Sequence, residues 1–185
     1  MMTPEIITDL KSFDWQKIID YGNSLADLND AQLRFIKGLA VEQAVEAFGD
    51  GDLEYVGEKH RDYEWPKYDI DVELKTIFSQ GMYDTKGNVK TLPGIRLNNS
   101  MGTNKASLNP DNIADVLVAV HRDGAYAVSK DIVVAKAKHL GDGWELRPTK
   151  SDIVELSGRI LTKNKYNTNI STAVKNAIKE SLSGL

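Results

Sequence analysis

The fold is decided by the stretch YDIDVELKT, residues 68–76. Tyr68, Ile70, Val72 and Leu74 alternate there with charged residues, the period-two pattern of a strand with one buried face. The charged positions of the other face are Asp69, Asp71, Glu73 and Lys75. Three carboxylates followed by an ammonium group favour a bound divalent cation, because hard carboxylate oxygens and waters make a magnesium site. We therefore predict a strand that carries a Mg²⁺ site, with Lys75 directed at whatever the metal holds.

A short turn around Pro66 precedes this strand. It makes residues 61–65 an antiparallel partner, and in that pairing Asp62 approaches Glu73. Asp71 shares the face of Glu73 and is the alternative first carboxylate. Two carboxylates on one strand have less freedom to converge, which favours Asp62.

Composition narrows the class of protein. At 185 residues the chain is long enough to bury a core, and we predict a single domain over 1–185. No cysteine occurs, so the sequence offers neither disulfides nor thiolate zinc ligands. His60, His121 and His139 lack zinc-ligand spacing and are predicted to be polar surface residues. The sequence has no apolar run of about 20 residues and no basic-then-apolar start, which predicts a cytoplasmic protein without membrane contact.

Charge is divided along the chain, although the net charge is −4. Residues 42–73 hold eleven acidic residues against three Lys or Arg, whereas residues 85–110 hold four basic residues and no acid. A second acid-free window, 156–179, holds five basic residues. An enzyme acting on phosphodiesters needs this division, with carboxylates for the metal and separate cationic surface for the flanking phosphates. Solvated faces with randomly clustered charge are the alternative.

Hydrophobic spacing predicts the remaining elements. Helices are expected over 4–27 and from a cap at Asn29 or Asp30 to a stop at Gly49, with a sheet that begins near Leu53. The later expectations are strands over 115–121 and 125–129, a helix from Ser129 that ends at Gly141 and Gly143, an ambiguous stretch over 152–161, and a closing helix from Ser171.

Asp62, ten further residues and then Glu73-Leu74-Lys75 give the pattern D…E-x-K. Here the sequence resembles the PD-(D/E)xK nucleases, although Arg61 stands where the family usually has proline. The resemblance implies an α/β (α+β) fold, with a restriction-endonuclease-like mixed central sheet flanked by helices. It also implies that the helix before the hairpin brings a glutamate, Glu46 or Glu42, near the metal; a solvated helix face is the alternative for either.

Within that superfamily the layout is most similar to type II restriction endonucleases of the PvuII type. The shared landmarks are a helical N-terminal segment (here 1–28), E-L-K on the strand, a polar segment that ends in Asn109-Pro110, and an apolar hairpin over 115–128. The resemblance implies Mg²⁺-dependent cleavage of both strands of a short palindromic DNA site by a homodimer, without a nucleotide cofactor. The N-terminal segment would pack on the core or on the second subunit. Asp62, Glu73 and the Leu74 carbonyl would hold the metal, and Lys75 would orient the nucleophile or stabilise the transition state.

Two polar segments are candidates for contacts with double-stranded DNA, because Arg, Asn, Ser and Thr match the hydrogen-bonding edges of bases. The candidate residues are Arg96, Asn98, Asn99, Ser100, Thr103, Asn104, Lys105, Lys163, Lys165, Asn167 and Asn169. Ordinary polar loops are the alternative. Two other functions stay open: a structure-selective repair or recombination nuclease, similar to a resolvase, and a non-catalytic DNA-binding or protein-interaction module.

Overall fold

The computed structural model describes residues 2–25, 33–49, 52–58, 61–97, 108–141 and 143–158. Its helices are α1 (Pro4–Ser12), α2 (Trp15–Ser24), α3 (Leu33–Phe48) and α4 (Lys130–Lys136). Its strands are β1 (Glu54–Glu58), β2 (Arg61–Trp65), β3 (Ile70–Ile77), β4 (Ile95–Leu97), β5 (Val116–His121), β6 (Ala125–Ser129), β7 (Lys138–Leu140), β8 (Gly143–Leu146) and β9 (Val154–Glu155). The fold is therefore mixed α+β, as the sequence predicts.

Among the described residues, six strands form the central sheet in the order β1-β2-β3-β5-β6-β9. Of these strand pairs, β3 and β5 run parallel and the others are antiparallel. The apolar run of β5 is buried at every position, which fits a central strand. The predicted hairpin of β2 with β3 and the hairpin of β5 with β6 are both confirmed.

The two faces of the central sheet carry different layers. On one face, α1, α2 and α3 pack their apolar residues against alternate side chains of β2, β3 and β5, among them Tyr63, Val72 and Val118. On the other face, Leu117 and Tyr126 pack against α4 and a second sheet in the order β4-β8-β7. Because side chains alternate along a strand, Glu73 and Lys75 of β3 lie on this second face beside Leu117 and Ala119 of β5.

The N-terminal segment is two helices rather than the single one expected over 4–27. The first helix ends before the extended residue Phe13, and Asp14 caps the second, since its side chain accepts the backbone N–H of Lys17 at 3.1 Å. The apolar residues of both helices, including Leu10, Ile18 and Ile19, pack into this chain's own core. A contact with a second subunit through this segment would therefore use its polar face.

Several other expectations are corrected. Helix α4 ends at Lys136 rather than at the two glycines, because residues 138–140 pair with β8 as a strand. Asp69 does not share the strand face, since it lies in the turn after Pro66 with a φ of 52°. His121 is fully buried in β5, and its Nδ1 contacts the Gln80 carbonyl at 3.1 Å, so it is not a surface residue.

The ambiguous stretch over 152–161 contains the short strand β9, whereas His60 and the expected closing helix from Ser171 lie outside the described residues. Within the described part of the chain, no helix has the length and apolar character needed to cross a membrane.

Candidate active site

Strands β2 and β3 part at Asp62. Their ladder pairs Trp65 with Ile70, Glu64 with Asp71 and Tyr63 with Val72. Asp62 and Glu73 would form the next pair, but there the Oδ2 atom of Asp62 accepts the backbone N–H of Leu74 at 2.6 Å. A side chain thus takes the place of a ladder hydrogen bond. The two carboxylates are brought side by side where the strands separate.

Glu73 is buried, with 8% of its surface exposed. Its Oε1 atom forms an ion pair with the Nζ atom of Lys75, while its Oε2 atom is buried and has no hydrogen-bond donor among the described residues. Burial raises the pKa of Glu73, and the Lys75 ammonium partly offsets this rise. A buried carboxylate oxygen without a partner is costly, so this atom requires a cation or a water to satisfy it.

Asp62 shares this environment. Burial, with the negative charge of Glu73 as the second cause, raises the pKa of Asp62 to about 6. The Leu74 N–H and the Lys75 ammonium act in the opposite direction. A buried carboxyl group whose ionisation is disfavoured by a neighbouring carboxylate belongs to a centre that a divalent cation would stabilise.

A third carboxylate, Glu42, reaches the site from α3. The Tyr63 hydroxyl donates to the Glu42 backbone carbonyl at 2.6 Å and fixes the helix against β2. The Tyr55 hydroxyl donates to Glu42 Oε2 at 3.3 Å. Burial and the charge of Asp62 raise the pKa of Glu42. Of the two glutamates expected on this helix, Glu42 lies at the cleft, whereas Glu46 accepts the backbone N–H of Tyr55 at 3.4 Å.

These groups line one cleft of about 390 Å³. Its walls are Gly38, Leu39, Glu42, Tyr55, Gly57, Glu58, Asp62, Glu73, Leu74 and Lys75. Sequence reasoning missed Tyr55, which reads as an ordinary aromatic strand residue; its role depends on the distance between α3 and β1, and no local motif encodes that distance. The three predicted catalytic residues, in contrast, all lie on this cleft.

Two carboxylates of this cleft could bind a metal ion. Among the residues that the structure describes, no three His, Cys, Asp or Glu side chains converge closely enough to form a metal site on their own. Asp62 and Glu73 are therefore the candidate side-chain ligands, with the Leu74 carbonyl and waters as the remaining oxygens. The donor set suits Mg²⁺, which takes oxygen ligands and usually keeps several waters. The Oε2 atom of Glu73, which has no hydrogen-bond partner among the described residues, is also a suitable ligand atom for such an ion.

Asp71, the alternative first ligand, lies in a different environment. Its carboxylate binds Arg61 at 3.0 Å, and it lines a separate polar cleft with Glu64 and Asp115. The structure thus brings Asp62, and not Asp71, to the side of the cleft where Glu73 and Lys75 lie.

The predicted DNA contacts are described only in part. Arg96 is an exposed residue of β4, so it belongs to a strand and not to a loop. The other candidates lie outside the described residues: Asn98, Asn99, Ser100, Thr103, Asn104, Lys105, Lys163, Lys165, Asn167 and Asn169.

A scan against protein-family models gave no match to this chain, and a search of curated proteins gave none either. The chemistry of the cleft is therefore the ground for a functional proposal.

Proposed function

We propose that this protein is a Mg²⁺-dependent endodeoxyribonuclease with a restriction-endonuclease-like fold, and specifically a type II enzyme that cuts both strands of a short palindromic site as a homodimer. The observation that carries the proposal is the cleft where Asp62, Glu73 and Lys75 meet at the opening of β2 and β3, with one oxygen of Glu73 buried and unpartnered.

The side chains divide the work of phosphodiester hydrolysis. Asp62 and Glu73 would hold Mg²⁺, with the Leu74 carbonyl as a third oxygen and Glu42 in support. A bound Mg²⁺ supplies Lewis acidity toward the scissile phosphate and offsets charge on the leaving oxygen. Lys75 is held on the cleft by Glu73, so its ammonium group is placed to orient the attacking water or to stabilise the phosphate oxygens.

The bonds that change are those of a simple hydrolysis. The water oxygen forms a bond to phosphorus, the bond from phosphorus to the 3′ oxygen breaks, and the proton released by the water balances the proton taken up by the leaving oxygen. In a two-fold dimer each subunit would cut one strand through the same contacts.

Digestion of plasmid DNA with Mg²⁺ tests the proposal. We expect the parent protein to produce discrete fragments, and Lys75→Ala to lower the cleavage rate about 10²- to 10³-fold, the usual effect of removing one group that stabilises transition-state charge. Lys11→Ala is the matched control, because Lys11 is exposed in the last turn of α1 and lies outside both basic windows, and it should cleave as the parent does.

Other results select the other functions. Cleavage confined to branched DNA would replace the restriction enzyme with a structure-selective nuclease. Absence of any metal-dependent cleavage by the parent would favour a non-catalytic module, and parent-like cleavage by Lys75→Ala would remove Lys75 from the mechanism. Sedimentation of the parent protein separately tests the homodimer.

A further inference from the structure

The three-stranded sheet β4-β8-β7 has one apolar face and one charged face. Ile95, Leu97 and Leu146 pack toward the core that this sheet shares with the central sheet. On the outward face Arg96, Glu145 and Lys138 stand directly opposite one another across the three strands. A row of charge therefore crosses the whole small sheet.

Cations outnumber acids on this face. Arg147 adds a second arginine, and its Nε atom binds Glu145 at 2.5 Å. Lys136, at the end of α4, adds another ammonium group, and it binds Asp152 at 2.5 Å. Lys136, Lys138, Glu145 and Arg147 line a cleft of about 310 Å³ with Ala135 and Leu140. The described face thus carries a net positive charge in a chain whose overall net charge is −4.

Arg96, the arginine of the row across the three strands, is held in place by contacts with β7 and β8. Its guanidinium Cζ lies 3.5 Å from where a β-carbon of Gly143 would stand, so the side chain extends over β8. Its Nη1 atom donates to the Leu140 carbonyl on β7 at 3.5 Å. Arg96 is therefore oriented along the face before any ligand binds, which reduces the entropy lost on binding.

The small sheet lies next to the candidate active site. Leu97, on the inward side of β4, lines a small cavity together with Glu73 and Lys75, and Arg96 is its neighbour on the outward side of the same strand. On the far side of β3 the surface is acidic, with Glu58, Glu64 and Asp71 around Arg61. A polyanion would be repelled from that edge and attracted to the small sheet.

We propose that the outward face of the three-stranded sheet, through Lys136, Lys138, Arg147 and Arg96, binds the phosphate backbone of duplex DNA beside the scissile phosphate. The inference rests on the proposed function, since it takes DNA as the substrate of the neighbouring cleft. Lys138 is the most informative residue, because it is exposed and stands on the edge strand beside Glu145.

Binding of a labelled random-sequence duplex, measured by fluorescence anisotropy in EDTA over a series of salt concentrations, tests the surface without any cleavage. We expect Lys138→Ala to weaken binding about 5- to 10-fold at 0.1 M salt, equally for duplexes of different sequence, and to reduce the slope of log affinity against log salt by about 1. Lys138→Glu should weaken binding further. Lys11→Ala, which removes one exposed lysine in the last turn of α1 and outside both basic windows of the sequence, is the matched control and should keep the parent slope.

The surface is overturned if both Lys138 variants bind with the parent affinity and slope, or if the parent does not bind DNA at all. Plasmid cleavage is scored separately in Mg²⁺. If the salt dependence of DNA binding depends on Lys138 but the protein never cleaves DNA, the binding surface is supported and the nuclease function is rejected. If the protein cleaves DNA but the Lys138 variants keep the parent salt dependence, the nuclease function is supported and the binding surface is rejected.

Discussion

Asp71 and Glu73 are two carboxylates on the same face of the same strand, two residues apart, but they differ in exposure and in their partners. Asp71 is 38% exposed at its side chain and forms an ion pair with Arg61, which also binds Glu58 and Glu64. Glu73 is buried, and one of its oxygens finds no donor within the described chain. Asp71 thus has an ion-pair partner within the described chain, whereas Glu73 leaves one oxygen for the Mg²⁺ that we propose there.

The difference arises from what faces each residue across the sheet. Near Asp71 the β2–β3 ladder is intact, and its backbone N–H donates to Asp115 at 3.0 Å. Near Glu73 the ladder has opened, and α3 brings Glu42 over the gap. Similar residues thus give a salt-bridged surface at one end of β3 and a strained electrostatic centre at the other. Unsatisfied buried charge is where functional sites concentrate.

The largest contrast should appear in DNA cleavage. We expect Glu73→Gln to lower the cleavage rate about 10³-fold, because it removes the charge that pairs with Lys75 and that would hold the proposed metal. Asp71→Asn should stay within about threefold of the parent, a change too small to implicate transition-state binding. Plasmid digestion under single-turnover conditions measures both.

Thermal stability in Mg²⁺ compares the same two carboxylates, Asp71 and Glu73, without depending on activity. Excess Mg²⁺ should raise the melting temperature of the parent and of Asp71→Asn, because a ligand that binds only the folded state stabilises it. It should not raise that of Glu73→Gln. Equal Mg²⁺ stabilisation of all three proteins would show that Glu73 is not a ligand.

An intermediate effect is expected on stability at Asp62. In the metal-free folded protein the pKa of Asp62 is about 6, against an ordinary value of 3.8. The folded state therefore holds this proton more tightly, and its contribution to the free energy of unfolding falls as pH rises from 3.8 through about 6 and is level above. Asp62→Asn keeps an acceptor for the Leu74 N–H and removes the charge, so it should raise the free energy of unfolding at pH 8 by about 1 to 3 kcal/mol.

Urea denaturation in EDTA from pH 4 to 8 measures this effect, with Asp71→Asn as the control that leaves the Asp62 slope in place. The variant should gain most above pH 6 and little near pH 4. A variant less stable than the parent at pH 8 would mean that Asp62 is not electrostatically strained.

Local pattern was sufficient for the strands that build the site. Alternation in 68–76 and the turn at Pro66 predict β2, β3 and their pairing, because one buried face and one tight turn fix the register. The same information places Asp62 near Glu73. It does not reveal that the ladder opens there, since the opening depends on a hydrogen bond between a side chain and the backbone of the next strand.

Tertiary context explains the differences from expectation. Residues 138–140 continue a helical pattern in sequence, but pairing with β8 makes them a strand. His121 is polar by type, yet it ends the most buried strand, and its ring packs 5.5 Å from that of Tyr126. The basic face of the small sheet was also not predicted, because Arg96 and Lys138 are 42 positions apart and β8 alone brings them into one row.

The smallest effect on stability is expected at the end of β3 where Asp71 pairs with Arg61. Arg61→Ala removes three ion pairs, but the partner side chains are 38% to 59% exposed, and exposed pairs contribute little. We expect the free energy of unfolding to fall by about 1 kcal/mol or less, and the difference to shrink as salt screens the remaining carboxylates. Arg122→Ala, in the exposed turn between β5 and β6, is the control for loss of one arginine. A loss above about 2 kcal/mol that persists in 1 M salt would mean that the Arg61 cluster supports the fold, and that the two ends of β3 differ less than their ion pairs indicate.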